Sequence, residues 1–251
     1  MPELIILGSA AAIPNLEHEN THMMIRTVDG VILIDCGTAP MLRLERLGIP
    51  TGEITDVILT HFHPDHISGL PLLLMSMWLE GRRQVLRIYG LHHCLKRVED
   101  LMDFYQWGDW PDFFPVAFHR LPENHGVMVL EQRDVSIFCS PVRHVIPTIG
   151  LRIEAKSTGK VIAYSCDTEP CQAVINLAQG ADMLFHESSG ESVGHSSAAQ
   201  AGTIAHDAGV DSLYLIHYPV REGETAKLVD EAGGAFSGDV HLAEDFMKIE
   251  F

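Results

Sequence analysis

Short apolar segments alternate along the chain with amphipathic segments. The apolar segments are rich in Val and Ile and bounded by Gly, Asp or Pro, which is typical of strands, whereas the amphipathic ones are typical of helices with one buried face. The predicted strands are 3–8, 22–27, 30–35, 56–60, 85–89, 114–120, 126–131, 134–139, 148–155, 160–165, 182–186 and 212–216. The predicted helices are 39–47, 67–80, 92–106, 171–178, 196–208 and 222–232.

Turn signals connect these elements into one domain. Asp29-Gly30 is expected to join two strands tightly. Residues 167–170 carry start signals for the helix at 171–178, and Gly180 carries its stop signal. Strands are repeatedly followed by helices in the second half, which favours sheets with helices on their outer faces. We therefore predict an α/β fold, a four-layer αββα sandwich, as a single domain over residues 1–251.

The charge balance limits the partners of this chain. It has 34 acidic against 17 basic side chains, a formal net charge of −17. This balance weighs against a broad nucleic-acid surface, because binding of a polyanion draws on clustered Lys and Arg. Arg82, Arg83 and Arg87 do gather in the sequence, and we interpret them as a solvent-exposed face.

The sequence also bears on the cellular compartment. The apolar start, residues 4–7, follows no basic residue and runs into Gly8-Ser9, so we predict a strand and not a signal peptide. No run approaches the roughly 20 apolar residues of a membrane span, so no membrane partner is expected. The five cysteines are scattered, as expected of reduced thiols in the cytoplasm. Cys166 and Cys171 are interpreted as incidental, with a role beside the functional site as the alternative.

The candidate chemistry is concentrated in the segment Thr60–His66, directly after the apolar run 57–59. This segment contains His61, His63, Asp65 and His66. Neutral imidazole and carboxylate are ligands for zinc and similar divalent ions. A loop at the end of a strand can point several such side chains into one cavity, so we predict a metal site; the alternative is a polar loop without a role.

Three further candidate ligands, His144, Asp167 and His217, each follow an apolar strand. Each has an alternative explanation when it is taken alone. His144 could be an ordinary loop histidine, Asp167 a helix cap, and His217 a satisfied core histidine. Four strand ends that all carry metal-binding residue types favour one shared metal centre.

These motifs, in this order, resemble those of the metallo-β-lactamase superfamily over essentially the whole chain. Residues 7–11 and 33–37 also resemble its first turn and its next strand and loop. The resemblance implies two divalent metal ions, most simply zinc, with manganese or iron also suited to these ligands. It assigns the ligands as follows: His61, His63 and His144 to the first ion, Asp65, His66 and His217 to the second, and Asp167 to both. Two such ions lower the pKa of water from 15.7 toward about 7 and so provide hydroxide at neutral pH.

Within that superfamily, the chain is most similar to the ribonuclease Z-like branch. The similarity rests on residues 185–189, on 194–197 and on the tail at 242–246. It implies that His195 is a general acid for the leaving oxygen and that Glu187 orients it, so the predicted catalytic residues are Asp65, Glu187 and His195. The alternatives are a solvent-exposed His195 at a helix start and a surface carboxylate at Glu187.

One departure from that branch concerns the substrate. Its transfer-RNA-processing bacterial members carry a long arm between the third and fourth motifs, but only residues 145–166 separate His144 from Asp167 here. Together with the acidic charge, this disfavours transfer RNA and favours a small or short phosphodiester.

The resemblance also implies a homodimer. The aromatic segment 104–125 could form a lid, a dimer contact or ordinary core packing.

Four functions compete at this stage. The first is a dinuclear metal phosphodiesterase, and the alternative is a carbonyl hydrolase acting on thioesters, lactones or lactams with the same centre. A glutathione-thioester hydrolase is disfavoured because little chain follows His217. A redox diiron protein is disfavoured because His63 and Asp65 stand as in the hydrolases. A non-enzymatic metal module is disfavoured because structural zinc sites are usually closed four-ligand cages.

Overall fold

A computed structural model describes residues 1–221, 223 and 225–251. Two sheets of seven strands form its centre. The strands of the first sheet are β1 (Glu3–Gly8), β2 (His22–Thr27), β3 (Gly30–Ile34), β4 (Ile54–Ile58), β5 (Leu86–Leu91), β6 (Val116–Leu121) and β14 (Lys248–Glu250). Their order across the sheet is β14-β1-β2-β3-β4-β5-β6, with parallel pairing from β3 to β6 and antiparallel pairing elsewhere.

The second sheet repeats this arrangement. Its strands are β7 (Val127–Glu131), β8 (Val135–Val142), β9 (Thr148–Ala155), β10 (Val161–Tyr164), β11 (Met183–Glu187), β12 (Ser212–Ile216) and β13 (Asp239–Leu242). Their order is β13-β12-β11-β10-β9-β8-β7, and the pairs from β10 to β13 are parallel. Parallel strands end at the same edge of a sheet, so the residues that follow β10, β11 and β12 are brought together.

Helices cover both sheets. They are α1 (Pro40–Leu47), α2 (Pro64–Ile67), α3 (Leu70–Leu79), α4 (His92–Phe104), α5 (Gln172–Ala178), α6 (Ala198–Ala208) and α7 (Leu228–Gly233), with 3₁₀ turns at Thr51–Glu53, Trp107–Asp109 and Thr225–Lys227. One apolar cluster lies between the sheets, a second joins the first sheet to α1, α3 and α4, and a third joins the second sheet to α5, α6 and α7. The predicted four-layer αββα sandwich is therefore confirmed.

Most predicted elements are found, with ends shifted by a few residues. Strands β13 and β14 were not predicted, because they are short and form the outer edges of the two sheets. The predicted helix 67–80 is wrong in extent, since it is divided into α2 and α3 at Gly69. A Cβ at Gly69 would lie 2.0 Å from the Gly37 carbonyl oxygen, so the chain passes too close there for any other residue. Of the predicted helix 222–232, residues 222 and 224 lie outside the described residues, and α7 covers the end.

Helix α5 begins directly after Cys171, which confirms the predicted helix at 171–178. The Asp167 side chain does not cap that helix but is buried among histidines, so the helix-cap alternative is wrong. The interpretation of Arg82, Arg83 and Arg87 as one solvent-exposed face is also wrong. Arg82 is 7% exposed and donates hydrogen bonds to four backbone carbonyls, so it does not belong to a solvated face. Arg87 pairs with the buried Asp56, and only Arg83 of the three arginines is exposed.

The aromatic segment 104–125 is divided between core packing and exposure. Trp107, Trp110 and Phe113 pack against the apolar cluster beneath the first sheet. Phe104 is 87% exposed. Core packing therefore accounts for the three inner aromatic residues.

Among the described residues, no helix has the length and apolar character that crossing a membrane requires.

Candidate metal centre

The Thr60–His66 segment leaves β4 and enters α2, with Pro64 in the first helical turn, where its missing N–H costs nothing. The Asp35 carboxylate accepts hydrogen bonds from the Thr60 amide and hydroxyl, which fixes the start of the segment. His61 and His66 are fully buried, and His63 is half-buried. The segment therefore presents its side chains from a rigid strand end.

The first group of ligand candidates consists of His61, His63, His144 and Asp167. Nε2 of His61 and Nε2 of His144 each lie 3.1 Å from Nδ1 of His63. The nearer Asp167 oxygen, Oδ2, is 3.9 Å from the first of these Nε2 atoms and 4.0 Å from the second. Ligands 2.0–2.1 Å from a tetrahedral zinc ion lie about 3.3 Å apart, so the imidazole spacing suits such an ion.

The second group consists of Asp65, His66, His217 and the same Asp167. Oδ2 of Asp65 lies 3.3 Å from Nε2 of His217 and 3.6 Å from Nε2 of His66. The Asp167 carboxylate reaches both imidazoles, with Oδ1 3.4 Å from His66 and Oδ2 3.5 Å from His217. One carboxylate thus stands between two groups of three side chains.

Unsatisfied buried atoms in the centre fit a metal ion. Among the described residues, Nε2 of His66 and Oδ1 of Asp167 are buried and have no hydrogen-bond partner. Leaving a buried polar atom unpaired costs about 1–3 kcal/mol, and an ion held between these two atoms would remove that cost. Nitrogen and carboxylate oxygen are the donor set of zinc and of similar divalent ions.

The protonation states of the first group and of both carboxylates also fit cation binding. At His66 and His217 burial acts to lower the pKa, but the negative charge of Asp167 and of a second nearby carboxylate outweighs it and raises the pKa. Burial lowers the pKa of His61, His63 and His144, which favours the neutral imidazole that binds metal ions. Burial acts to raise the pKa of Asp167, but the charges of neighbouring histidines outweigh it and hold that pKa well below its ordinary value. For Asp65, burial is likewise outweighed by the hydrogen bond with His217, and the pKa falls to about 2. Both carboxylates are therefore ionised at neutral pH.

Residues behind the ligand candidates hold the rings in place. The Asp35 carboxylate accepts a hydrogen bond from Nδ1 of His66 at 2.8 Å, and Nδ1 of His144 donates to the Gly194 carbonyl at 2.7 Å. The thiol sulfur of Cys166 lies 3.6 Å from Nδ1 of His61, so Cys166 adjoins the centre and is not incidental. Sequence reasoning assigned no role to Asp35, although it lies within the segment 33–37 that carried the resemblance.

His195 and Glu187 form a pair beside the centre. Nδ1 of His195 lies 3.0 Å from Oε1 of Glu187, and this hydrogen bond raises the pKa of His195. The His195 ring packs edge-on against His144 at 4.9 Å and parallel to His217 at 6.0 Å between ring centres. Its side chain is 25% exposed. Its ring therefore lies against one candidate ligand from each group while one side remains open to solvent.

Glu187 is not the surface carboxylate of the alternative explanation. It is fully buried and accepts hydrogen bonds from the backbone amides of Thr168, Ser189 and Ser196, as well as from the Ser189 hydroxyl. These donors hold the carboxylate in one orientation toward His195. The sequence places Glu187 at the end of β11, and the fold turns that end toward the centre.

Comparisons with known proteins agree with this architecture. The chain is 27% identical over 310 aligned positions to a protein named ribonuclease Z from Methanothermobacter thermautotrophicus, covering 100% of this chain and 97% of the relative. The solved metallo-β-lactamase fold protein YhfI from Bacillus subtilis matches with a TM-score of 0.85 and 23% identity, covering 100% and 99% of the two chains. The short form of human tRNase Z matches with a TM-score of 0.79 and 23% identity, covering 99% and 98%.

The fold, the convergent histidines and aspartates and these relatives together define a metal-dependent hydrolase in the ribonuclease Z-like branch of the metallo-β-lactamase superfamily. The family model described as anti-Pycsar protein Apyc1 matches residues 2–235, and the chain belongs to that family.

The relative from Methanothermobacter thermautotrophicus is aligned over 310 positions, whereas this chain has 251 residues, so the relative has residues that this chain lacks. Residues 145–166 hold only β9, β10 and their connections, without an arm.

Proposed function

We propose that this protein is a dinuclear metal phosphodiesterase that hydrolyses a small or short phosphodiester. The observation that carries the proposal is the pair of ligand groups that share Asp167, with His195 and Glu187 beside them. A phosphodiester offers one anionic group for cations and one leaving oxygen for an acid. Both requirements have a matching set of side chains in this centre.

The proposed ligands divide between two ions, most simply zinc. His61, His63 and His144 would hold one ion, Asp65, His66 and His217 the other, and Asp167 both. Bound there, the ions would supply Lewis acidity, lower the pKa of water and neutralise charge on the phosphate.

His195 would act as the general acid. Breaking the bond from phosphorus to the leaving oxygen places negative charge on that oxygen, and an alkoxide needs a proton. His195 would donate that proton, while the buried Glu187 orients the ring and favours its protonated form. The oxygen of water would form a bond to phosphorus and give up one proton, while the bond to the leaving oxygen breaks and that oxygen takes one proton from His195. The proton released by water would then restore the protonated His195, so the protons balance over one turnover.

The acidic charge and the absence of an arm between His144 and Asp167 support a small substrate. A net charge of −17 repels long polyanions, whereas one small anion can reach a centre whose local field is set by cations. Transfer RNA is therefore disfavoured as a substrate. The cytoplasmic location and the homodimer remain predictions from the sequence.

The test is turnover of bis(p-nitrophenyl) phosphate by protein whose bound metals have been quantified. Turnover with about two metals per chain is the expected result, and a panel of cyclic and short nucleotides would then identify the substrate. Absence of turnover in protein with two metals would contradict the phosphodiesterase proposal. It would favour the carbonyl-hydrolase alternative, which thioesters and lactones would then test.

A further inference from the structure

A cavity of about 270 Å³ lies beside the candidate metal centre, between residues 11–13 and residues 219–221. Backbone contacts hold its two walls together. The Ala11 amide donates to the Tyr218 carbonyl at 3.0 Å, and the His217 amide donates to the Ser9 carbonyl at 2.8 Å. The Asn15 side chain donates to the Val220 carbonyl at 2.9 Å. The cavity is therefore a built feature of the fold.

The walls of this cavity connect directly with the catalytic candidates. Pro219 follows the ligand candidate His217 by two residues. Ser189, which also lines the cavity, donates to Oε2 of Glu187 from both its amide and its hydroxyl at 2.9 Å. The other Glu187 oxygen binds His195. The cavity thus adjoins both the pair formed by His195 and Glu187 and the ligand group that contains His217.

A second cavity adjoins the other ligand group. It measures about 250 Å³, is lined by His144 and Val145 among others, and shares no lining residue with the first. A larger cavity of about 780 Å³ has none of the seven ligand candidates in its lining. Two small and separate cavities beside one centre suit the two substituents of a phosphodiester.

The lining of the first cavity indicates what it would bind. Its walls are mainly apolar, with Ala11, Ala12, Ile13, Pro219 and Val220. Arg221 contributes the one guanidinium among its described lining residues, in a chain with twice as many acidic as basic side chains. Apolar walls with a few placed polar groups are typical of small-molecule sites. The complementary ligand is an apolar group that carries a hydrogen-bond acceptor.

We propose that this cavity, which we call the leaving-group subsite, holds the body of the leaving alcohol. The inference rests on the proposed function. In that mechanism His195 protonates the leaving oxygen, so the rest of the leaving group lies on the side of His195 and Glu187, and Ser189 joins this cavity to Glu187. Ile13 would contact its apolar face, and Arg221 would donate to its acceptor.

The test uses two diesters that share one leaving group. Methyl p-nitrophenyl phosphate and bis(p-nitrophenyl) phosphate both release p-nitrophenol but retain different substituents. Ile13→Ala should raise KM for both by the same factor, about 10-fold, the low end of what a lost methylene costs in an apolar pocket, because Ile13 is 60% exposed. The kcat should change less than about 2-fold, since Ile13 contacts no reacting atom. Arg221→Gln should raise KM for both as well.

Val145→Ala is the matched control, because it removes apolar surface from the other cavity. It should raise KM for the bis-aryl diester and leave the methyl diester unchanged. If Ile13→Ala affects only the bis-aryl diester, the cavity holds the retained substituent and the proposal is wrong. Unchanged KM for both diesters would also overturn it.

A binding measurement separates failure of this proposal from failure of the proposed function. The probe is p-nitroanisole, an uncharged analogue of the leaving alcohol that lacks a phosphate, observed by saturation-transfer NMR with the protein as purified. The proposal expects binding that Ile13→Ala weakens and Val145→Ala does not. Binding that is insensitive to Ile13→Ala overturns the subsite even if the diesters are hydrolysed. If no diester is hydrolysed but p-nitroanisole binding still depends on Ile13, the phosphodiesterase proposal fails and the cavity is a binding site for an apolar group without the assignment to a leaving alcohol.

Discussion

Asp35, Cys166 and His217 adopt φ angles of 62°, 53° and 52°, in the left-handed region. Each lies just beyond the end of a parallel strand, and each touches or belongs to the metal centre. Non-glycine residues in this region cost about 1–2 kcal/mol each and are retained where the surrounding structure fixes them. Three of the six non-glycine residues with positive φ in the described part of the chain therefore lie at the site, and the other three, Gln106, Asp112 and Phe246, lie elsewhere.

The first residue-scale prediction concerns Asp65. Its carboxylate lies within 3.6 Å of Nε2 of both His66 and His217 but belongs to the second ligand group only. Asp65→Ala should reduce phosphodiester turnover at least about 100-fold. Removing a residue that only hydrogen-bonds a metal ligand already costs up to about 100-fold in activity, and removing a ligand itself should cost no less. The far-ultraviolet circular dichroism should be unchanged, and bound metal should fall toward one per chain. Exposed Asp207→Ala is the control, and wild-type rates in Asp65→Ala would contradict the mechanism.

The second residue-scale prediction concerns His195. If it protonates the leaving oxygen, its loss matters most for alcohols that leave poorly without a proton. His195→Ala should lower kcat for alkyl leaving groups by a factor at least about 10 times larger than for p-nitrophenyl leaving groups. Acid catalysis typically contributes about 10²-fold to 10⁴-fold, so a difference of this size is within its range. The comparison is made on diesters with a common retained group, with exposed His206→Ala as the control. Equal losses for both kinds of leaving group would remove His195 from this role.

At the scale of elements, α6 begins directly after the short segment that carries the proposed general acid His195. Ser197 accepts a hydrogen bond from the Gln200 amide, and the Gln200 side chain accepts one from the Ser197 amide, which is a capping box. The neighbouring Ser196 instead donates to the Thr168 carbonyl. The start of the helix and the loop after β10 are thereby joined, which places His195 between them.

The element-scale prediction concerns Arg82, which connects the end of α3 to β4 and β5. Its guanidinium donates to the carbonyls of Thr51, Ile54, Gln84 and Val85. Arg82→Met should lower the free energy of unfolding by about 2–4 kcal/mol, because buried acceptors lose their donor. Urea denaturation measures the change.

Arg83→Met is the matched control for that variant. Arg83 is adjacent, exposed and bonded only to carbonyl oxygens at the surface. Its replacement should change stability by less than about 0.5 kcal/mol. Equal effects of the two variants would show that the buried hydrogen bonds of Arg82 contribute nothing specific.

At the scale of the whole molecule, two buried histidines outside the ligand groups couple stability to pH. Burial lowers the pKa of both His22 and His186. Each ring has one nitrogen bonded to a backbone carbonyl, while Nε2 has no partner among the described residues. Glu19, Arg43 and Asp245 face His22, and Glu187 adjoins His186. Protonating either ring would bury a new charge.

The pH prediction follows from the sign of these shifts. The folded-state pKa values lie below the unfolded value of about 6.5, so the unfolded chain binds more protons at acid pH. The stability these two groups contribute is complete above about pH 6.5 and is lost as the pH falls below it, by up to about 1.4 kcal/mol per pH unit for each histidine. Urea denaturation at pH 7.5 and pH 5.5 measures this loss. The double variant His22→Gln, His186→Gln should show a smaller loss between these pH values, and an unchanged loss would contradict the prediction.

The sequence by itself determined the fold class, most of the strands and the seven ligand candidates. Periodicity and strand-end positions are local properties, and ligand residue types at the ends of buried strands stand out in one dimension. His61, His63, Asp65 and His66 lie in one loop, so their convergence required no knowledge of distant parts.

Only the tertiary structure decided which distant groups meet. Asp35 reaches His66, Gly194 reaches His144, and Cys166 lies against His61 because separate strands end at one edge. The burial of Arg82 and Glu187 was likewise not readable, since charged residues are usually exposed. The edge strands β13 and β14 and the break at Gly69 depend on neighbours far along the chain. Contacts between residues distant in sequence are set by packing of whole elements, which no local pattern encodes.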